Sequence, residues 1–304
     1  MLTVHNFSYG LVTPVLGYLM SCLGAFLGLR CTARAMAMAG RSRLRWLLLG
    51  ALSIGTTGIW VMHFIAMLGY TVPGQVIHYN VLITIGSMLI AVVVVGIGLL
   101  IVGFGRRSWG SLLLAGAFTG IGVAAMHYTG MTAMRLAARM TYNPVLFAVS
   151  VLIAIIAATA AFWAALNLRG LRATIGAAMI MGVAVSGMHY TGMAAMHLFR
   201  PGPGGGMEMA GGGATAPGFL LPLLIGICLL SFILTATLAL SPNDAEIRAD
   251  AALLQRIEDA RSERARQLVA GPPRPAVSQQ LPGAAISRAA QARRQAENGE
   301  PFSH

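Results

Sequence analysis

Met126-His127-Tyr128-Thr129-Gly130-Met131 recurs letter for letter as Met188-His189-Tyr190-Thr191-Gly192-Met193, and with changes as Met62-His63-Phe64-Ile65-Ala66-Met67. The three histidines are 64 and 62 residues apart (127−63 and 189−127). Each lies in a long apolar run with no acidic residue. An imidazole there must find a partner or lose several kcal/mol, on the order of the cost of burying an unpaired polar group. Three of them at a steady repeat imply a shared partner. On a helix, residues three and four apart share a face, so His127 has Gly130 and Met131 beside it, His189 has Gly192 and Met193, and His63 has Ala66 and Met67. Met62, Met126 and Met188 precede their histidines by one.

Imidazole and thioether without carboxylate form a donor set suited to copper, above all Cu(I). Zinc hydrolase chemistry asks for an open water position and a general base, and hard cations ask for oxygen ligands. The motif helices offer neither. Haem stays open, because histidine and methionine are also its axial ligands. A single buried histidine is more often hydrogen-bonded to backbone or hydroxyl, and membrane methionines mostly pack. Three copies with methionine recurring at −1 and +4 favour the ligand reading. Candidate metal ligands are therefore His63, His127 and His189 with Met62, Met67, Met126, Met131, Met188 and Met193. Intramembrane ionisable groups are functional candidates by default. His5, His78 and His197 read as surface histidines, with entry ligands the alternative, and His304 is terminal.

The elements that must position these residues are transmembrane helices. The chain has 304 residues, 57% hydrophobic and only 10% charged, against about a quarter charged in soluble domains. Seven runs are long enough to cross a bilayer: about 11–29, 46–68, 81–103, 111–134, 145–166, 173–198 and 219–240. The spacings Gly116, Gly120, Ala124 and Gly182, Ser186 suit close helix packing in lipid. All 21 basic residues are arginine, a feature of base composition. The net charge of +12 raises nucleic acid as a partner, but the arginines cluster at the ends of apolar runs and in the tail, as membrane topology requires. Cys22, Cys31 and Cys228 form no paired motif and read as buried thiols. Residues 1–10 lack the positive start of a cleavable signal peptide.

Arg30, Arg34, Arg41, Arg43, Arg45, Arg106, Arg107, Arg169 and Arg172 fall on one side; Arg135, Arg139 and Arg200 fall on the other. Nine against three places the N-terminus outside and the C-terminus in the cytoplasm. The second, fourth and sixth helices then run outward, with their histidines in the outer half. The repeating unit is a helix pair used three times in parallel, plus a seventh helix, which brings three equivalent histidines to one depth about an axis along the membrane normal. Residues 201–218 read as a flexible Gly-rich outer loop. The tail, 241–304, reads as a cytoplasmic extension. It holds a short helix with Ile247, Leu254 and Ile257 on one stripe, then disorder, and no nucleotide-binding, kinase or cyclase motif.

These motifs identify a resemblance. Gly58-Ile59-Trp60-Val61-Met62-His63-Phe64 resembles the first motif of the MHYT domain, where phenylalanine in place of tyrosine is usual. Gly122 to Met131 and Gly187 to Met193 resemble the second and third, and the likeness runs from about Tyr9 to Arg200. It implies a bacterial inner-membrane sensor of a diatomic gas (oxygen, carbon monoxide or nitric oxide) or of redox state. The implied means is copper held by the motif Met and His residues near the outer face. Many members carry cyclic di-GMP enzymes or a kinase after the last helix. The expectation here is a non-enzymatic, multi-pass sensor signalling to a cytoplasmic partner. The rivals are a copper or small-solute transporter and a membrane metallohydrolase.

Overall fold

Asparagine starts two of the helices. In the computed structural model, which describes residues 2–106, 108–168, 170–200, 213–240, 255–264 and 266, Asn80 Oδ1 accepts from the Ile83 N–H at 3.1 Å. Asn143 Oδ1 accepts from Val145 and Leu146 at 2.9 and 3.2 Å, with Pro144 at the first helical position. Both satisfy amide donors that a helix start leaves without partners. The helices are α1 (Val12–Met36), α2 (Gly40–Leu68), α3 (Val81–Phe104), α4 (Trp109–Thr132), α5 (Pro144–Asn167) and α6 (Leu171–Ala195). All six are long and apolar enough to cross a membrane. A further apolar helix, α7, spans Leu221–Leu240. The protein is a multi-pass, helical membrane bundle.

The six helices pack in chain order round a closed ring, α6 returning to α1. Small residues set the close approaches. A Cβ on Gly120 would overlap the Ile155 backbone of α5, and one on Gly182 would meet Cys22 and Tyr18 of α1. The small-residue spacing thus marks helix–helix faces, as expected in lipid. Cys22, Cys31 and Cys228 are free thiols.

Several boundaries differ from the sequence reading. α1 continues past Leu29 to Met36, so Arg30 and Arg34 are helical, and Arg41, Arg43 and Arg45 begin α2. The arginines remain compatible with helix because their long stems carry the charge outward. The Arg34 guanidinium lies 4.9 Å from the Trp46 ring, and Arg43 donates to the Met38 and Gly103 carbonyls at 2.9 and 3.2 Å. At the motif end, α4 stops at Thr132 and α6 at Ala195. The residues beyond pair as strands instead: β1 (His78–Tyr79) lies between β2 (Met134–Arg135) and β5 (Ala214–Thr215), and β3 (Arg139–Tyr142) pairs with β4 (Met196–Phe199). His197, expected within the sixth helix, is therefore on β4 opposite Thr141.

Part of the span 201–218, expected to be a flexible loop, is ordered: Ala214–Thr215 joins the sheet and Ala216–Leu220 forms a helical turn. Residues 201–212 lie outside the described residues. α2 carries a π-helical stretch, Ser53–Val61, just before its histidine. The chain divides into two units, Met1–Leu240 and Ser241–His304. In the second, residues 255–264 are helical and exposed, including Ile257. Ile247, Leu254 and the span expected to be disordered lie outside the described residues.

Candidate metal centre

The start of each helix pair is tied to the end of the same pair. Ser8 N–H donates to the Gly69 carbonyl at 3.0 Å, Asn80 to Ala133 at 2.8 Å, and Asn143 to Ala195 at 2.7 Å. Gly69, Ala133 and Ala195 each lie six residues after a motif histidine (69−63, 133−127, 195−189). These bonds fix the three motif helices at equal height. The recurrence of Asn80 and Asn143 at 63 residues (143−80) was the sequence signal for them.

At that height His63, His127 and His189 meet on the bundle axis. Their ring centroids are 4.9, 5.0 and 5.1 Å apart, and the rings stand nearly perpendicular at 84°, 81° and 90°. His63 Nδ1 lies 3.0 Å from His189 Nδ1 and 3.1 Å from His127 Nδ1. All three residues are at most 1% exposed. Above them the cap strands and the N-terminal segment close the end of the bundle: Leu2 N–H donates to the Leu198 carbonyl and His5 N–H to that of Thr71, at 2.8 and 2.9 Å.

Each histidine has its motif aromatic against it edge-on. Phe64, Tyr128 and Tyr190 lie 4.7, 4.9 and 4.9 Å from His63, His127 and His189. Phe64 packs on the rings of Trp60 and Tyr79. Tyr128 instead reaches Ser150 Oγ at 2.6 Å. Trp60, which the motif reading passed over, anchors α2 to α3 by donating to Ser87 Oγ at 3.0 Å and the Thr84 carbonyl at 3.2 Å.

The motif glycines make the site possible. A Cβ on Gly130 would overlap His63 Nε2, and one on Gly192 would overlap His127 Nε2. The glycine of one copy thus accommodates the imidazole of another. Neither Nε2 has a hydrogen-bond partner, although both are buried. Converging Nδ1 lone pairs repel unless a proton or a cation lies among them. A cation held at Nδ1 places each ring proton on Nε2. Nitrogens 2.0 Å from a tetrahedral metal lie about 3.3 Å apart, close to the observed spacing. The donor set fits a small soft cation. Rings this close leave no room for a haem between them, and no carboxylate precedes Glu208 in the chain.

All six motif methionines are buried: Met62, Met67, Met126, Met131, Met188 and Met193. Met62 lies against Gly17 of α1, and Met188 lines a cavity deeper in the bundle. The other described histidines stay outside the trio. His5 and His78 lie in the cap opposite Thr71 and Arg135, as His197 lies opposite Thr141.

Residues 57–115 and 120–178 match the family model MHYT, described as a bacterial signalling protein N terminal repeat. The chain carries MHYT repeats. The third motif lies beyond the matched residues, and the structure adds its histidine to the other two. The bifunctional diguanylate cyclase/cyclic di-GMP phosphodiesterase MucR of Pseudomonas aeruginosa is 36% identical over 252 residues, 81% of this chain and 36% of that protein. The cyclic di-GMP phosphodiesterase NbdA of the same organism is 39% identical over 204 residues, 65% of this chain and 26% of that protein. The signaling protein YkoW of Bacillus subtilis is 28% identical over 218 residues, 66% of this chain and 26% of that protein. The chain thus spans about a third or less of the length of these relatives. No solved structure matches it. The MHYT repeats make this a membrane-embedded signalling module.

Proposed function

We propose that the MHYT bundle is a copper-dependent sensor of a diatomic gas or of redox state, itself non-enzymatic, that signals to a cytoplasmic partner. The observation that carries this reading is the convergence of three buried Nδ1 atoms, 3.0 and 3.1 Å apart, with no acid beside them. His63, His127 and His189 hold the metal; Met62 and Met188 pack toward Gly17 and the lower cavity, which leaves Met67, Met126, Met131 and Met193 as candidate thioethers. Such a soft, neutral donor set favours Cu(I). Copper supplies, when bound, a one-electron couple and a position for a small ligand. The cap strands exclude water, and Gly130 and Gly192 keep the rings in place.

The arginine distribution supports N-terminus out and C-terminus in, with α7 as a seventh span and the centre toward the outer face. The names of the relatives suggest an output in cyclic di-GMP signalling. The cavity below the histidines is lined by apolar side chains apart from Ser21 and Thr119. That lining gives an ion no polar route inward, which favours a sensor over a transporter.

The test is metal analysis of the purified full chain beside His63→Ala, His127→Ala and His189→Ala. Copper in the parent and its loss from each variant is the expected result. Copper retained by all three variants, or none in a parent grown with copper, refutes the reading.

A further inference from the structure

A cavity of about 50 Å³ lies directly beneath the histidines. Ile59, Val123 and Val185 line it, and each precedes a motif histidine by four residues (63−59, 127−123, 189−185). The cavity therefore begins one helical turn, roughly 6 Å, from the trio. Its wall on α5 is built of alanines and Phe162, and Ala157, Ala158 and Ala161 are only partly buried. They sit in the middle of an apolar helix, so this side of the cavity faces the hydrocarbon region.

Two hydroxyls break the apolar lining, and one of them is without a partner. Ser21 is 1% exposed, and its Oγ has no hydrogen-bond partner. Thr119, the other hydroxyl, already donates to the Val94 carbonyl at 3.1 Å. Water needs two to four polar partners in such a place, whereas dry apolar cavities take up xenon and similar small apolar guests. A guest of two heavy atoms, apolar in bulk and able to accept one weak hydrogen bond, matches a single free hydroxyl.

We propose that this cavity docks a diatomic gas arriving from the lipid, held by apolar contacts and the Ser21 hydroxyl, one turn from the histidines. The inference deepens the sensing reading, on which its purpose rests, but docking itself requires no metal. The two can therefore fail separately.

Xenon serves as the probe, because it reports apolar cavities without coordinating to copper. The full chain in lipid nanodiscs should give a saturable shift of the dissolved xenon resonance. Ala158→Phe and Ala161→Leu fill the cavity away from the histidines and should abolish that shift while keeping the copper content of the parent. Two filled positions guard against one variant failing to insert. A parent with no saturable shift, or both variants retaining it, overturns the proposal. Xenon binding in a parent that contains no copper supports docking and removes only the copper reading. In chelator-treated protein under carbon monoxide, Ser21→Ala should shift the infrared stretch of the docked gas. An unchanged band overturns the role given to the hydroxyl.

Discussion

The imidazole of His127 rests on Gly192 so closely that a Cβ there would overlap Nε2, and His63 stands in the same relation to Gly130. The second and third motifs therefore each supply a histidine to the trio and a glycine seat for another motif's histidine, whereas the first has Ala66 at that position. Gly192→Ala should push His127 out of the trio, at about 1–3 kcal/mol for an overpacked core. The expected outcome is a lower melting midpoint in detergent together with loss of bound copper. A variant that keeps both would show that the imidazole has room to move.

Two tyrosines at equivalent motif positions should respond differently to the same change. Tyr128→Phe removes the 2.6 Å contact with Ser150 and should cost about 1 kcal/mol. The Tyr190 hydroxyl is buried without a partner, so Tyr190→Phe should be neutral or slightly stabilising. Thermal unfolding of the two variants side by side checks this; equal losses would contradict it.

The cap should loosen in alkali. Burial, and then the neighbouring Tyr128, push the Tyr142 phenol up to about 12. Burial pushes Tyr70 and Tyr79 up as well. A phenol raised above its unfolded value of about 10 contributes stability below that pH and loses it as pH rises through the folded value. Melting midpoints should therefore fall between roughly pH 10 and 12, and Tyr142→Phe should flatten that fall. An unchanged slope in the variant would exclude Tyr142 as a source.

Removal of the second unit should leave the first intact. Met1–Leu240 forms a unit of its own, and no motif residue lies beyond it. A chain truncated after Pro242 should insert normally and keep its copper while losing its cytoplasmic partner. Loss of copper on truncation would mean that the tail supports the site.

Topology is open to a direct assay. A reporter active only in the cytoplasm should work when fused after His304, because nine arginines face three across the bundle. Activity only from a periplasmic reporter there would move the metal centre to the inner face.

The sequence alone determined the membrane class, the threefold repeat and the three histidines, because apolar run length and a repeat near 63 residues are one-dimensional properties. It also marked Gly116, Gly120 and Gly182 as packing positions, since close approach in lipid needs small side chains at fixed spacing. Only the tertiary structure decided what the motif glycines do, because Gly192 and His127 meet across helices and no local spacing records that pairing. The ends of α4 and α6 were decided there too. Met134 and Met196 are as apolar as the helices before them, and cross-strand pairing with β1 and β3, not composition, turns them into strands. Ser21 went unnoticed for the same reason. A serine in an apolar helix is ordinary until the surrounding helices leave its hydroxyl facing a cavity with nothing to bond.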